Sequence, residues 1–259
     1  MNILVLLKMV PDVVEELEVD SAGKALDLES LRMIVNEQDD HALEQALLLK
    51  EKLGGNVTAL ALDAPEIDEV LYTALAKGAD RAVKVLGGGT MLSTRASASL
   101  LAEVIPSVPG ALPADLVLCG CWAIDDLDAQ MGAFLSTELN LPYLGMVVGV
   151  TADASAREAD VAREYAGGVR GQFTVPLPAL LGIQTAEKPP RYVPVVKVRN
   201  VMKLQTIETV SSSASFDAPA VEVLQMTKPE MSGRAKMLEG SVEELAGKIC
   251  DVLTERGLL

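Results

Sequence analysis

Short, unbroken apolar runs alternate with helix-period segments through roughly the first 150 residues, which restricts the chain to a parallel α/β architecture. Ile3 to Leu7 is apolar at every position, as expected of a strand covered on both faces. Val57–Leu62, Arg81–Leu86 and Leu116–Cys119 are the next strands, apolar throughout only in the last of them. Between them lie helical segments. Asp39 or Asp40 can cap a helix in which Leu43, Ala46, Leu47 and Leu53 share a face, stopped by Gly54-Gly55. Glu66 to Lys77 forms a second helix, ended by Gly78. A third runs from about Thr90 to Ile105 and a fourth from about Asp128 to Leu139. Strands joined through helices run parallel with right-handed crossovers. The expected fold is therefore a parallel-sheet, Rossmann-like α/β domain.

The pattern changes after Pro142. Tyr143 to Val150 is apolar, and Val161–Tyr165 and Gln172–Val175 flank Gly167-Gly168 like the arms of a hairpin. Pro178 to Gln184 forms one more strand. Residues 188–203, KPPRYVPVVKVRNVMK, are proline-rich and basic, and Ser211 to Pro219 reads as a polar linker. A last helix, Val242 to Leu253, carries Val242, Leu245, Ile249, Val252 and Leu253 on one side. This tail holds too little apolar surface to build its own core. Residues 1–203 are thus expected to form the α/β domain, and residues 204–259 an arm that packs on another chain.

Charge removes some functions. Lys and Arg number 22 against 37 Asp and Glu, a formal net charge of −15. Binding to nucleic acid depends on basic residues that neutralise phosphates, so it is excluded as the main role. The three cysteines, Cys119, Cys121 and Cys250, form no CxxC pair, which fits a reducing compartment and neither a disulfide framework nor a zinc site. The acidic clusters are not spaced like a calcium loop, and no metal is expected. The N-terminus reads as a strand rather than a signal peptide. No stretch approaches the roughly 18 apolar residues of a membrane span.

In open parallel sheets, ligands bind beyond the carboxyl ends of the strands. These ends fall at Lys8–Pro11, Asp63–Pro65, Gly87–Thr90 and Gly120–Asp128. The densest is CGCWAIDDLDAQMG, residues 119–132, where Asp125, Asp126, Asp128 and Gln130 gather at a helix start. They either cap that helix or surround an anion held by its N–H groups. Neither GxGxxG nor GxxxxGK[ST] occurs, and Gly87-Gly88-Gly89 reads as a turn. Trp122 either stacks on a planar ring or plugs its loop. His41, the single histidine, reads as a surface helix residue. None of these features names a reaction.

The segments MNILVLLKMVPD, NEQDDHALEQALLLKE, TALAKGADRAVKV, LVLCGCWAIDDLDAQMG, LPALLGIQTAEKPPRYVP and GRAKMLEG resemble, in order, the β subunit of electron-transfer flavoproteins. The resemblance implies an adenine-nucleotide-hydrolase-like fold in a heterodimer whose larger α subunit carries the redox-active FAD. The β subunit completes that pocket and buries an AMP without hydrolysing it; bifurcating members hold a second FAD there. Electrons pass from flavoprotein dehydrogenases to a quinone oxidoreductase or other acceptor. No catalytic residue is implied. The expected compartment is the cytoplasm, or the mitochondrial matrix in a eukaryote.

Carried over by position, the nucleotide contacts are Leu6, Asn36, Glu37, Gln38, Asp39, Leu62, Asp63 and the run Gly120, Cys121, Trp122, Ala123, Ile124, Asp125, Asp126, Leu127, Asp128, Ala129, Gln130 and Met131. Trp122 stands where many members have glutamine, and the threonine that often follows Gln130 is missing. Members with a second FAD carry glycine at Asp126, and Thr90, Met91, Ser93, Thr94 and Arg95 match their signature only in part. AMP is the expected occupant and a second FAD the alternative. Pro190 to Met202 aligns with the family's partner-recognition loop, with Val195 at its apolar anchor and three extra residues after it. Arg191, Tyr192, Lys197, Arg199 and Lys203 complete this surface. Two competing readings are a stand-alone adenine-nucleotide-binding module and an ATP-using enzyme of the same fold.

Overall fold

The computed structural model describes the chain except residues 30, 88–91, 127–128, 154, 156, 213–222, 230–234 and 236. In chain order the elements are β1 (Asn2–Leu7), β2 (Met9–Pro11), β3 (Met33–Val35), α1 (Glu37–Leu53), β4 (Asn56–Leu62), α2 (Ile67–Lys77), β5 (Arg81–Leu86), α3 (Thr94–Val104), β6 (Leu116–Gly120) and α4 (Met131–Glu138). Then follow β7 (Tyr143–Asp153), β8 (Glu158–Glu164), β9 (Arg170–Pro176), β10 (Ala179–Ile183), α5 (Val195–Leu204), β11 (Glu208–Ser211) and α6 (Val242–Glu255).

Nine strands form one sheet in the order β11-β5-β4-β1-β6-β10-β7-β8-β9. Pairing is parallel from β11 through β7, and β8 and β9 are added antiparallel. Helices α1 and α2 cover one face through Leu43, Leu47, Ile67 and Leu71. Helices α3 and α4 cover the other through Leu100, Leu101 and Leu135. The expected parallel α/β fold is the observed one. Strand β1 lies between β4 and β6, so the chain reverses its direction of travel across the sheet there. Such a reversal opens a crevice beyond the carboxyl ends of the two central strands.

Local chemistry explains where the structure departs from the sequence reading. Helix α1 starts at Glu37 after Asn36, whose extended backbone (φ −58°, ψ 129°) sets the boundary, and Asp39 lies inside the first turn rather than capping it. Helix α4 begins at Met131 instead of about Asp128, because Ala129 takes a left-handed conformation (φ 54°) that a helix cannot include. Helix α3 is described from Thr94, and Thr90 and Met91 lie outside the described residues, as do Gly88 and Gly89. The basic segment expected as a loop is helical over Val195–Leu204. Residues 208–211, expected in the arm, extend the sheet as β11 beside β5. Pairing of β2 with β3 has no counterpart in the sequence pattern, since three-residue strands carry no readable period.

Described residues of the remaining arm reach the domain through Ser212, Met226 and Lys228, the first donating from Oγ to Glu103 Oε2 at 2.7 Å. The Met226 N–H donates to the Gly23 carbonyl at 2.7 Å, and Lys228 Nζ lies 3.1 and 2.5 Å from Glu16 and Glu18. Helix α6 is closed by a capping box of Ser241 and Glu244, yet none of its residues is buried. Val242, Ile249 and Val252 are exposed. No helix among the described residues is long and apolar enough to cross a membrane.

Candidate functional site

Asp39 sits buried at the switch point, between the ends of β1 and β6. It projects from the first turn of α1, and its two oxygens accept from two strands at once: Oδ1 from the Gly120 N–H at 2.6 Å and Oδ2 from the Lys8 N–H at 2.9 Å. One carboxyl group thereby ties the end of β1 to the end of β6 across the reversal. Burial pushes this carboxyl up to about 7, against the pull of the Gly120 N–H, the Asn36 amide and the Lys8 charge. Its neighbour Asn36, also buried, donates from Nδ2 to the Trp122 carbonyl at 3.0 Å. Gly120 has no room for a side chain. A Cβ there would lie 2.6 Å from Asp39 Oδ1, 2.8 Å from Gln38 Cβ and 2.9 Å from Asn36 Nδ2.

The loop beyond β6 is held from both sides. Lys8 Nζ pairs with Asp125 Oδ1 at 2.7 Å, and Thr94 Oγ1 at the start of α3 donates to Asp126 Oδ2 at 2.7 Å. A short turn brings the Asp126 N–H onto the Ala123 carbonyl at 3.0 Å. The chain then reaches exposed Gln130 ahead of α4, whose first bond within the helix region is from the Phe134 N–H to the Gln130 carbonyl at 2.9 Å. The N–H groups of the first turn have no partner within the helix and suit an anion.

The structure thus places Leu6, Asn36, Gln38, Asp39, Gly120, Cys121, Trp122, Ala123, Asp125 and Asp126 near the carboxyl ends of β1 and β6. Leu6 is a buried β1 residue, and Trp122 is half-buried. Glu37, Ile124, Ala129 and Gln130 are exposed, and Met131 is half-buried. Leu62 ends β4, the next strand out, and Asp63 follows it, its N–H donating to the Val85 carbonyl at 2.9 Å. Leu127 and Asp128 lie outside the described residues. Sequence reasoning misses Lys8 and Thr94 as anchors of the loop. Lys8 immediately follows β1, which is its only signal; nothing in the sequence marks the Thr94 contact.

Thiol and imidazole chemistry are not set up here. Burial raises the Cys119 thiol above its ordinary range and pushes Cys121 up to about 11, so neither supplies a thiolate near neutral pH. His41 Nδ1 accepts from the Ala186 N–H at 3.2 Å, a structural contact. With Glu44 and Gln45, His41 forms a stripe on α1 that holds the segment after β10. The Glu187 N–H donates to Gln45 Oε1 at 3.1 Å and the Arg191 N–H to Glu44 Oε2 at 3.0 Å. Among the described residues, no group of three or more His, Cys, Asp or Glu can hold a metal ion.

That stripe delivers α5 to the surface. The Arg191 guanidinium is engaged within the chain, 2.8 Å from buried Glu44 and 2.6 Å from Glu51. Tyr192, Val195 and Val196 point outward, at 84%, 60% and 68% exposure, beside exposed Lys197, Arg199 and Lys203. Helix α5 rests on α2, and Val201 packs against the core. The result is a short apolar ridge edged with positive charge.

Residues 25–215 match the family model described as the electron transfer flavoprotein domain. The chain is 30% identical to the electron transfer flavoprotein subunit beta of Methylophilus methylotrophus, with 98% of each chain covered. It is 29% identical to the subunit of the same name from Clostridium acetobutylicum, again over 98% of each chain. It is also 29% identical to a subunit of the caffeyl-CoA reductase–Etf complex of Acetobacterium woodii, over the full length of both.

Proposed function

The chain belongs to the electron transfer flavoprotein family, and from that premise we propose that it is the β subunit of a heterodimeric electron carrier. In this role it holds one AMP in the switch-point crevice and completes the FAD pocket of an α subunit. The observation that carries the reading is the Asp39 clamp across β1 and β6, which ties the two strand ends together at the switch point with Gly120 packed against the start of α1. Adenine lies along the strand ends near Leu6, Asp63 and Gly120, and the phosphate meets the N–H groups of Ala129, Gln130, Met131 and Gly132. In this reading the nucleotide's task is structural.

FAD, when bound with the α subunit, supplies the electron chemistry. This chain's residues bind, orient and shield. The exposed apolar side of α6, unpacked on the domain, is suited to covering by the α subunit, because a single short helix gains most of its stability from packing. The ridge of Tyr192, Val195 and Val196 docks the electron donor, a flavoprotein dehydrogenase, and Lys197, Arg199 and Lys203 steer it. A quinone oxidoreductase or another acceptor takes the electrons onward, in the cytoplasm or the mitochondrial matrix.

A second reading places a FAD where AMP is proposed. Likeness to a subunit of a reductase–Etf complex favours it. The contact of Asp126 with Thr94 opposes it, because this carboxylate stands where members with a second FAD carry glycine.

Two variants test the two surfaces. Gln130→Leu, at the exposed residue ahead of α4, should lower bound nucleotide several-fold in the purified heterodimer, measured by chromatography of the released small molecules. Unchanged occupancy would remove the Gln130 side chain from the phosphate contacts. Val195→Asp changes the first residue of α5, where a carboxylate suits the helix start, so folding should be intact. Electron transfer from the dehydrogenase should slow by about tenfold or more with flavin content unchanged, as for loss of an apolar docking anchor. An unaltered rate would remove Val195 from the docking surface.

A further inference from the structure

Tyr143 opens β7 and lies against the α4 side of the sheet, enclosed by three glycines from three elements. A Cβ at Gly132 of α4 would sit 2.5 Å from Tyr143 Cε2 and 2.9 Å from its hydroxyl oxygen. One at Gly145 of β7 would sit 2.8 Å from the hydroxyl oxygen and 3.5 Å from Cε1. One at Gly182 of β10 would sit 2.7 Å from the hydroxyl oxygen and 3.3 Å from the Cα of Cys121. One ring edge therefore meets α4, the other meets β7, and the tip meets β10 beside the residue that follows Gly120. The hydroxyl makes no hydrogen bond with a described residue, and burial keeps it protonated.

Close packing leaves little tolerance in such a cradle. A larger residue at any of the three glycines meets the ring, and a smaller residue at 143 removes the contact of the Gly132 turn with β7. Gly132 is the second residue of α4, so the ring sets how closely the first turn of that helix approaches the sheet. We propose that Tyr143 is a positioning residue for the adenylate phosphate, a spacer that holds the N–H groups at the start of α4 at phosphate height. This inference rests on the nucleotide reading above. It adds a residue that makes no ligand contact of its own and acts through helix placement, where displacement by about 1 Å can cost large factors.

The test is AMP affinity by calorimetry on the nucleotide-stripped heterodimer, together with its unfolding midpoint. Tyr143→Phe keeps the ring and should bind AMP within about twofold of wild type. Tyr143→Ala and Gly132→Ala should each weaken binding by about tenfold or more. The combined variant should lose less than the product of the two, since the ring that clashes with the added methyl group on α4 is gone. Should Tyr143→Ala fail to assemble, Tyr143→Leu makes the same comparison. Unchanged affinity with only a lower unfolding midpoint would overturn the proposal, as would strict additivity. Tenfold weakening in Tyr143→Phe would assign the effect to the hydroxyl and overturn the spacer. A wild-type heterodimer that binds no AMP would overturn the nucleotide reading and this inference with it.

Discussion

Gly120→Ala should weaken AMP binding by about tenfold or more and lower the unfolding midpoint of the heterodimer. The added methyl would fall 2.6 Å from Asp39 Oδ1 and 2.8 Å from Gln38 Cβ, so the start of α1 must move away from the end of β6. Overpacking of this kind costs about 1–3 kcal/mol, and 1.4 kcal/mol is already tenfold in affinity. Its consequences reach beyond stability because the displaced atoms stand at the strand ends where the nucleotide is proposed to lie. Calorimetry with AMP and a thermal melt report the two effects separately. Wild-type affinity in Gly120→Ala would mean that the nucleotide does not lie against this strand end.

A second large effect should appear in the pH dependence of Asp39→Asn. Burial raises the wild-type carboxyl to about 7 in the folded chain, whereas an unfolded aspartate titrates at about 3.9. Between these values the folded state holds a proton that the unfolded state has released. The contribution of this group therefore falls as pH rises from about 4 to 7, at up to about 1.4 kcal/mol per pH unit, and is flat above that. In Asp39→Asn this slope is removed. The variant also presents one oxygen where two N–H donors need acceptors, at a cost of about 1–3 kcal/mol. The advantage of wild type over the variant should thus be largest near pH 5 and shrink by pH 8. A constant difference across that range would show that Asp39 does not titrate there.

The sequence makes the sheet legible where its strands are buried on both faces. Ile3–Leu7 and Leu116–Cys119 are apolar throughout, and Val57–Leu62 at all but Thr58, because helices cover them twice, and each appears as β1, β6 or β4. Four-residue β11, with the polar pattern ETVS, carries no such mark and is defined by its pairing with β5. Helix α5 is hidden by its valines, which lower helix propensity, and by the prolines ahead of it, which here precede its first turn. Its apolar residues are largely exposed, so no core-facing stripe announces it in the pattern.

The site is legible in part. Residues 119–132 stand out by density of carboxylates and position at a strand end. Asp39 reads as a helix cap because local spacing cannot reveal that its carboxyl reaches Gly120, 81 positions away. That contact exists only because β6 returns beside β1. The same holds for Lys8 with Asp125 and for Tyr143 with Gly132 and Gly182, each created by the topology.

The most direct test of the central claim is the small-molecule content of this chain purified with its α partner. The complex is denatured, and AMP and FAD are quantified per heterodimer by chromatography. One AMP and one FAD is the predicted result. Two FAD and no AMP would replace the AMP reading with a second flavin against Gly120–Gly132, and a heterodimer containing neither nucleotide would contradict the crevice as a nucleotide site.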